Sequence, residues 1–362
     1  MQEISREFTV TSRLKKIYTK LLQKNLDALL VSCPSNITYL TGYPSRDSYL
    51  LVSKEQNFYI TDSRYVEEAK TRLKGIAAVT KSQFNVFKTI THLCRDIRIK
   101  QLGFEERHLT YAEYKKIDEE IDKNTHLIPT RNIIEEERQI KDKEELIKIR
   151  KAIQITVEAM CFIERFGLAD RTELEVAAEL ERFIRYKGAS TSAFEIIVAS
   201  GLNSSFPHHI TSSKRIRDDE PVLIDMGVDY YGYKSDLTRI FLPDKINFLF
   251  RKIYRIAREA QDKAIAKIRP EVRISQIDNA ARSLISLKGY GRFFGHNLGH
   301  GVGLEVHEDP HISCRTHEIL KPGMVFTVEP GIYLPNKFGV RIEDMVLVTQ
   351  KGVEVLSGSL NK

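Results

Sequence analysis

Apolar residues recur along this chain in two rhythms. Leu14, Ile17 and Leu21 fall at helical spacing with lysines between them, and residues 28–32 follow as a short apolar strand. Pro34, Ser35 and Asn36 mark a turn. Residues 49–53, 58–61, 76–79 and 100–104 read as further strands, and residues 86–97 and 111–121 as helices. Thr61 or Asp62 is placed to cap a helix running to about Leu73. This alternation predicts an α/β domain in the first third of the chain. Its histidines, His92, His108 and His126, are scattered and form no catalytic cluster.

The pattern changes near residues 129–141, a charged stretch in which Pro129 ends the preceding strand. The domains are therefore expected at 1–138 and 139–362. Beyond the boundary Asp142 and Glu145 fit a capping box. Leu146, Ile149, Ile153 and Val157 then give one apolar helix face. A second helix opens at Thr172, with Glu175 after it, and stops at Gly188. A third covers about residues 246–268, and a fourth, capped at Ser275, runs to about Leu287. Residues 221–242 and 324–349 each read as an apolar strand, a Gly-containing turn and a second strand. The order helix, helix, hairpin occurs twice, a pattern of internal duplication.

Composition narrows the classes. A chain of 362 residues holds roughly two domains of about 150 residues. With 42% hydrophobic and 29% charged residues it is expected to be globular rather than disordered. Its longest apolar runs, such as 28–31 and 222–224, fall far short of the ~18–20 residues of a membrane span. Residues 1–11 lack the apolar core of a signal peptide. The net charge of +7 is spread through interleaved runs such as 141–151, without the clustered bases and aromatics of a nucleic-acid surface. Cys33, Cys94, Cys161 and Cys314 form no CxxC pair, so reduced, buried thiols in a cytoplasmic protein are expected.

The chemistry lies in acids that interrupt apolar strands. Asp225 sits inside the run 222–227, and Asp236 opens the return strand after Gly232. Burying an ionised carboxylate without a partner is very costly. Arg239 and Lys234 are nearby bases that could pair with these two. The second hairpin repeats the oddity, with Glu329 ending the apolar strand 325–328 and Glu343 in the run 340–346. Four carboxylates brought together repel one another and take up protons unless cations are present. Residues 295–308 add His296, His300 and His307 among glycines that permit close backbone approach. One imidazole with four carboxylates is a ligand set for a two-metal hydrolytic site.

These strings resemble the pita-bread metallopeptidases. They are Asp225 with Tyr233-Lys234-Ser235-Asp236, Gly299-His300-Gly301-Val302-Gly303 with His307-Glu308, Val328-Glu329-Pro330-Gly331, and Arg341-Ile342-Glu343-Asp344. Within that group the chain is similar to the Xaa-Pro peptidases, aminopeptidase P and prolidase, of family M24. The N-terminal third resembles their leading domain through Asn36-Ile37-Thr38-Tyr39-Leu40-Thr41-Gly42 and Thr61-Asp62-Ser63-Arg64-Tyr65. The resemblance implies an α/β (α+β) chain: a creatinase/prolidase-like N-terminal domain with a mixed sheet, then a pita-bread catalytic domain. It implies that Asp225 binds one metal, that Asp236 and Glu343 bridge two, and that His300 and Glu329 hold the other. Glu329 is further implied to handle the proton of the attacking water, and His208, His296 and His307 to act on substrate and protons. Tyr333 and Arg341 are implied to support substrate and ligands. The family usually has Gly after the Pro207-His208 pair, and here the residue is His209.

The implied activity is a dinuclear exopeptidase that releases the residue preceding proline, as aminopeptidase P does, with Xaa-Pro dipeptidase (prolidase) as the alternative. A methionine aminopeptidase ranks lower because that enzyme usually lacks the leading domain. A silent binding module and metal-free creatine-type amidinohydrolysis are disfavoured by the intact ligand set. Mn2+ is expected first, with Co2+ or Zn2+ as alternatives. Peptides with proline in second position are the expected partners, with no nucleic acid and no membrane, in a cytoplasmic homodimer.

Overall fold

The computed structural model describes residues 2–82 and 85–360. Met1, Asn361 and Lys362, at the ends of the expected domains, lie outside the described residues. The chain divides into two compact units, Met1–Arg138 and Gln139–Lys362.

The first unit runs α1 (Gln2–Gln23), β1 (Ala28–Val31), α2 (Pro34–Thr41), β2 (Ser48–Ser53), β3 (Phe58–Thr61), α3 (Val66–Arg72) and β4 (Ala78–Lys81). It continues α4 (Val86–Asp96), β5 (Gln101–Glu105), α5 (Tyr111–Glu120), β6 (His126–Thr130) and α6 (Glu135–Arg138). Its strands form one sheet in the order β4-β3-β2-β1-β5-β6. The β1–β2 and β2–β3 pairs are antiparallel, and β1–β5, β3–β4 and β5–β6 are parallel, so the sheet is mixed as expected.

Three local expectations are corrected here. Pro34 opens a helix rather than a turn: its missing N–H is free of cost at the first helical position, and Gly42 closes the helix in the left-handed region at φ 63°. Neither Thr61 nor Asp62 caps α3, because Thr61 ends β3, residues 63–65 turn first and Tyr65 is the residue before the helix. Pro129 does not end β6 but lies within it, tolerated because β6 is an edge strand.

The second unit begins with α7 (Lys143–Phe166) and α8 (Glu173–Tyr186). The expected capping boxes, Asp142 with Glu145 and Thr172 with Glu175, are both present. Strands β7 (Thr191–Ser192), β8 (Ile197–Ser200), β9 (Val222–Met226), β10 (Val228–Tyr230), β11 (Tyr233–Lys234) and β12 (Leu237–Phe241) follow. Then come α9 (Phe248–Ile265) and α10 (Ile274–Leu287), the latter preceded by Arg273, with Ser275 inside the helix rather than capping it. The chain finishes with β13 (Gly299–Gly301), β14 (Glu308–Ile312), β15 (Val325–Val328), β16 (Gly331–Leu334), β17 (Phe338–Arg341), β18 (Asp344–Val348) and β19 (Val353–Val355).

Each helix pair covers one face of antiparallel strands. Ile155, Val176, Leu180 and Ile184 of α7 and α8 pack with Val222, Ile224, Met226 and Leu237 of β9 and β12. Phe250, Ile253, Ile277 and Ile285 of α9 and α10 pack with Phe326, Val328, Val340 and Val346. Fully burying such a side chain contributes about 1.5–3 kcal/mol. Because side chains alternate along a strand, Asp225 lies on the face of β9 opposite Ile224 and Met226. By the same alternation Thr327 and Glu329 lie opposite Phe326 and Val328. The helices thus fix which face receives the acids. Among the described residues no disulfide forms; Cys33 and Cys94 are buried, but Cys161 is half-buried and Cys314 exposed, which corrects the expectation of four buried thiols. No described helix is long and apolar enough to cross a membrane.

Candidate active site

The face turned away from the helices opens into a cavity of about 820 Å³. Asp225, Asp236, His300, Glu329 and Glu343 line it, together with His208, His296, His307, Tyr333 and Arg341. The ten candidate site residues therefore share one cavity.

Asp225 lies in β9, and the other acids flank strand ends: Asp236 just before β12, Glu329 just after β15, and Glu343 between β17 and β18. β9 and β12 pair antiparallel with Asp225 opposite Thr238 and Met226 opposite Leu237. β15 and β18 pair with Val328 opposite Asp344. Glu329 and Glu343 each stand next to that last pair. Gln261 of α9 ties the two segments together, donating to the carbonyls of Val328 (2.9 Å) and Ile342 (3.2 Å). At Gly299 any Cβ would run into the backbone carbonyl of Thr327, so glycine is required for β13 to bring His300 this close.

Asp236, His300 and Glu343 each offer a ligand atom, all within 4.8 Å of one another. His300 Nε2 lies 3.3 Å from Glu329 Oε1 and 3.6 Å from Asp236 Oδ2. Thr327 donates to Glu329 Oε1 at 3.2 Å, and Thr238 to Glu343 Oε2 at 2.7 Å. Asp225 turns one oxygen to Arg341 at 2.5 Å, while its other oxygen, Oδ1, is buried with no hydrogen-bond partner. The nearby bases do not take these acids: Lys234 pairs with Asp229 and Arg239 with Asp344.

The electrostatics follow from crowding. Burial, then the Glu343, Asp225 and Glu329 carboxylates, push the Asp236 carboxyl well above its ordinary range. Burial, then Glu329 and Asp225, do the same to Glu343. Burial also acts to raise Glu329, but the hydrogen bond and charge of His300 outweigh it and leave Glu329 lowered. Burial acts to lower His300, and Glu329 more than offsets it, so the imidazole is raised. Burial lowers both His296 and His307, with His300 adding to the effect on His307.

Around the acids, Arg341 donates to Asp225, to Tyr333 Oη (2.8 Å), to Thr238 Oγ1 (3.0 Å) and to the Pro207 carbonyl (3.2 Å). Tyr333 Oη meets His296 Nε2 at 3.3 Å. The rings of His300 and His307 meet edge to face at 4.2 Å. His208 is exposed on the cavity wall. Sequence reasoning missed Thr238, Thr327 and Gln261, which carry no signal of their own: an apolar run with one Thr, or a helix with one Gln, is ordinary.

Residues 147–350 match the model of metallopeptidase family M24, and residues 13–140 match that of the creatinase/prolidase N-terminal domain. The chain belongs to metallopeptidase family M24. As a member of M24 it is a hydrolase, and its family uses divalent metal. Its structure superposes on a Xaa-Pro dipeptidase from Bacillus anthracis with a TM-score of 0.93 at 36% identity, covering 98% of this chain and 99% of the other. A Xaa-Pro dipeptidase of Pyrococcus furiosus is 37% identical over 360 residues, covering 95% of this chain and 97% of its own. An X-Pro aminopeptidase structure from Thermotoga maritima gives a TM-score of 0.85 at 35% identity, covering 92% and 96%. The expected fold, an N-terminal creatinase/prolidase-like domain followed by a pita-bread domain, is the M24 fold seen here.

The donor set fits a divalent metal. It is mostly carboxylate oxygen with one imidazole, a set suited to Mn2+ and similar ions. One buried oxygen of Asp225 has no partner, and burial with the neighbouring carboxylates drives Asp236 and Glu343 towards protonation, a crowding that a divalent cation would relieve.

Proposed function

We propose that this M24 hydrolase cleaves the peptide bond before proline at the amino end of short peptides. The observation that carries the reading is the convergence of Asp236, His300 and Glu343 within 4.8 Å, with Asp225 and Glu329 in the same cavity. These five residues would hold two divalent cations, Mn2+ first among them. When bound, the cations supply Lewis acidity and a nucleophilic water near neutral pH.

The chain's own residues do the rest. Glu329, kept ionised by His300 and oriented by Thr327, accepts the proton of the attacking water. His208, His296 and His307 face the substrate; His296 and His307, held low by burial, are neutral at physiological pH and serve as hydrogen-bond partners. Arg341 fixes Asp225 and Tyr333 in place and so shapes the substrate wall. Proline supplies the specificity problem, since its nitrogen carries no N–H and its φ is fixed. A peptidase that grips the backbone through that N–H fails at this bond.

The relatives named Xaa-Pro dipeptidase and X-Pro aminopeptidase support the proline reading and leave the dipeptide and longer-peptide forms both open. The test is cleavage of an Xaa-Pro dipeptide and of the same peptide extended by one residue, with Mn(II) supplied. Cleavage of either that is lost in Asp236→Asn and in His300→Ala, both still folded by circular dichroism, is expected. Wild-type turnover in either variant overturns the site.

A further inference from the structure

Outside the acid cluster, one wall of the cavity carries a second built arrangement. Glu173, the first residue of α8, has a side chain with no exposure. Its Oε1 accepts from Ser200 N (2.8 Å), Ser200 Oγ (2.8 Å) and Asn203 Nδ2 (2.9 Å). Its Oε2 faces Ser212 Oγ (2.6 Å), Ser212 N (3.2 Å) and His209 Nε2 (2.9 Å). Burial acts to raise this carboxyl, but the donors outweigh it and hold it at about 2. Glu173 is therefore an anion at any working pH, and an anion only accepts. His209 must give it the Nε2 proton, which fixes the ring and, in the neutral imidazole, leaves Nδ1 as an acceptor. Nδ1 has no protein hydrogen bond among the described residues. His209 lines the cavity with its side chain 12% exposed, and the next residue, Ile210, lines it at 76% exposure, which puts this stretch at the mouth.

We propose that His209, held by Glu173, is a specificity-determining residue whose Nδ1 accepts the backbone N–H of the third residue of an extended Xaa-Pro-Yaa peptide. This rests on the proline-peptidase reading and deepens it towards the longer-peptide form. An exopeptidase that cuts the first bond holds the amino end at the acids, so the rest of the chain leads out through the mouth. Along that path proline offers no N–H. The first backbone donor beyond the scissile bond is therefore the N–H of the third residue, which a dipeptide lacks. A dipeptide ends there in a carboxylate, which an acceptor nitrogen repels. The rest of the lining agrees. Arg341 is the only Arg or Lys among the described lining residues, and its guanidinium is already engaged by Asp225, Tyr333, Thr238 and the Pro207 carbonyl. Glu195, an exposed lining residue, adds an acid rather than a base. Glu173 itself contacts no substrate and is a positioning residue.

The test uses the Mn(II)-loaded full chain at about pH 8, above the ordinary imidazole range. The substrates are Ala-Pro, Ala-Pro-Ala and the depsipeptide Ala-Pro-lactate, in which oxygen replaces the N–H of the third residue. One neutral hydrogen bond is worth on the order of fivefold in affinity. The wild-type KM is therefore expected to be at least about fivefold higher for the depsipeptide than for Ala-Pro-Ala, and higher again for Ala-Pro. His209→Phe keeps a ring but no acceptor. Its KM for Ala-Pro-Ala is expected to rise about fivefold, while its kcat and its KM for the depsipeptide stay within about twofold. His209→Gln has an amide that can donate to Glu173 and a carbonyl oxygen that can accept, and it is expected to recover most of the loss. A merely structural wall would raise the KM of both longer substrates together in His209→Phe, and that outcome overturns the proposal. Equal wild-type KM values for Ala-Pro-Ala and the depsipeptide overturn it as well. A lower KM for Ala-Pro than for Ala-Pro-Ala removes this inference and leaves the proline reading standing. Cleavage of none of the three removes both.

Discussion

Lys141 offers a quantitative test of how the catalytic unit holds its histidine loop. Its side chain has no exposure and its Nζ lies 2.8 Å from Glu308 Oε1, whose side chain is 7% exposed. Glu308 also faces the Glu305 N–H at 3.4 Å, so the pair braces the segment that presents His307 to the cavity. Lys141→Met keeps the apolar stem and deletes the charge. Removing one partner of a buried ion pair costs about 3–5 kcal/mol. The slight exposure of Glu308 lets water reach the orphaned carboxylate, which places the expected loss near the lower end, about 3 kcal/mol. With a urea slope of about 1–3 kcal/mol per molar, the midpoint falls by roughly 1–3 M. Far-UV circular dichroism and activity, followed together through the urea transition, identify the catalytic unit's unfolding. The double variant Lys141→Met/Glu308→Leu replaces the pair by apolar groups and is expected to return to within about 1 kcal/mol of wild type, because such replacement is often near neutral. A single-variant loss below about 1 kcal/mol, or a double variant costing the sum of both singles, refutes the reasoning.

Two further outcomes are expected. Gln261→Leu removes both donors to the Val328 and Ile342 carbonyls, and outer ligand supports of this kind are worth about 10–100-fold in metal affinity. Mn(II) titration by calorimetry should show a loss of at least about tenfold, and unchanged affinity would deny Gln261 that role. For Glu173 the folded carboxyl lies below its ordinary value of 4.5, at about 2, so its contribution is complete above about 4.5 and is lost as pH falls towards 2. Urea midpoints of wild type and Glu173→Gln should therefore converge as pH drops from 5 to 3, and a constant gap across that range would show that the carboxylate's charge is not the source.

Legibility in the sequence followed the energetic rarity of each feature. Asp225, Asp236, Glu329 and Glu343 stood out because an acid interrupting an apolar run is exceptional. The capping boxes at Asp142 and Thr172 stood out because their side chains act on their own backbone, three residues away. Helix α2 and the strand carrying Pro129 were misread because each depends on context that a local pattern lacks: Pro at a helix start and Pro at a turn look alike, and only the sheet order makes β6 an edge. Ser275 was misread in the same way, since a serine near a helix start caps it only if the backbone turns at that residue.

The groups that aim the acids stayed hidden for a different reason. Thr238 reaches Glu343 across 105 positions and Gln261 reaches Ile342 across 81, so their roles exist only once the strands are in register. Register is set by the helices: one face of β9 and β12 is buried under α7 and α8, and a slip by one residue would turn Asp225 into that core. The apolar pattern that looks like mere packing is therefore what delivers the carboxylates to the cavity. Substituting the helix-facing Ile224 disturbs register and packing directly, whereas substituting Thr238 leaves the core intact and disturbs only the aim of Glu343 and Arg341. Stability and metal affinity should thus separate between these two positions, because the first residue sets where the acids go and the second sets how they point.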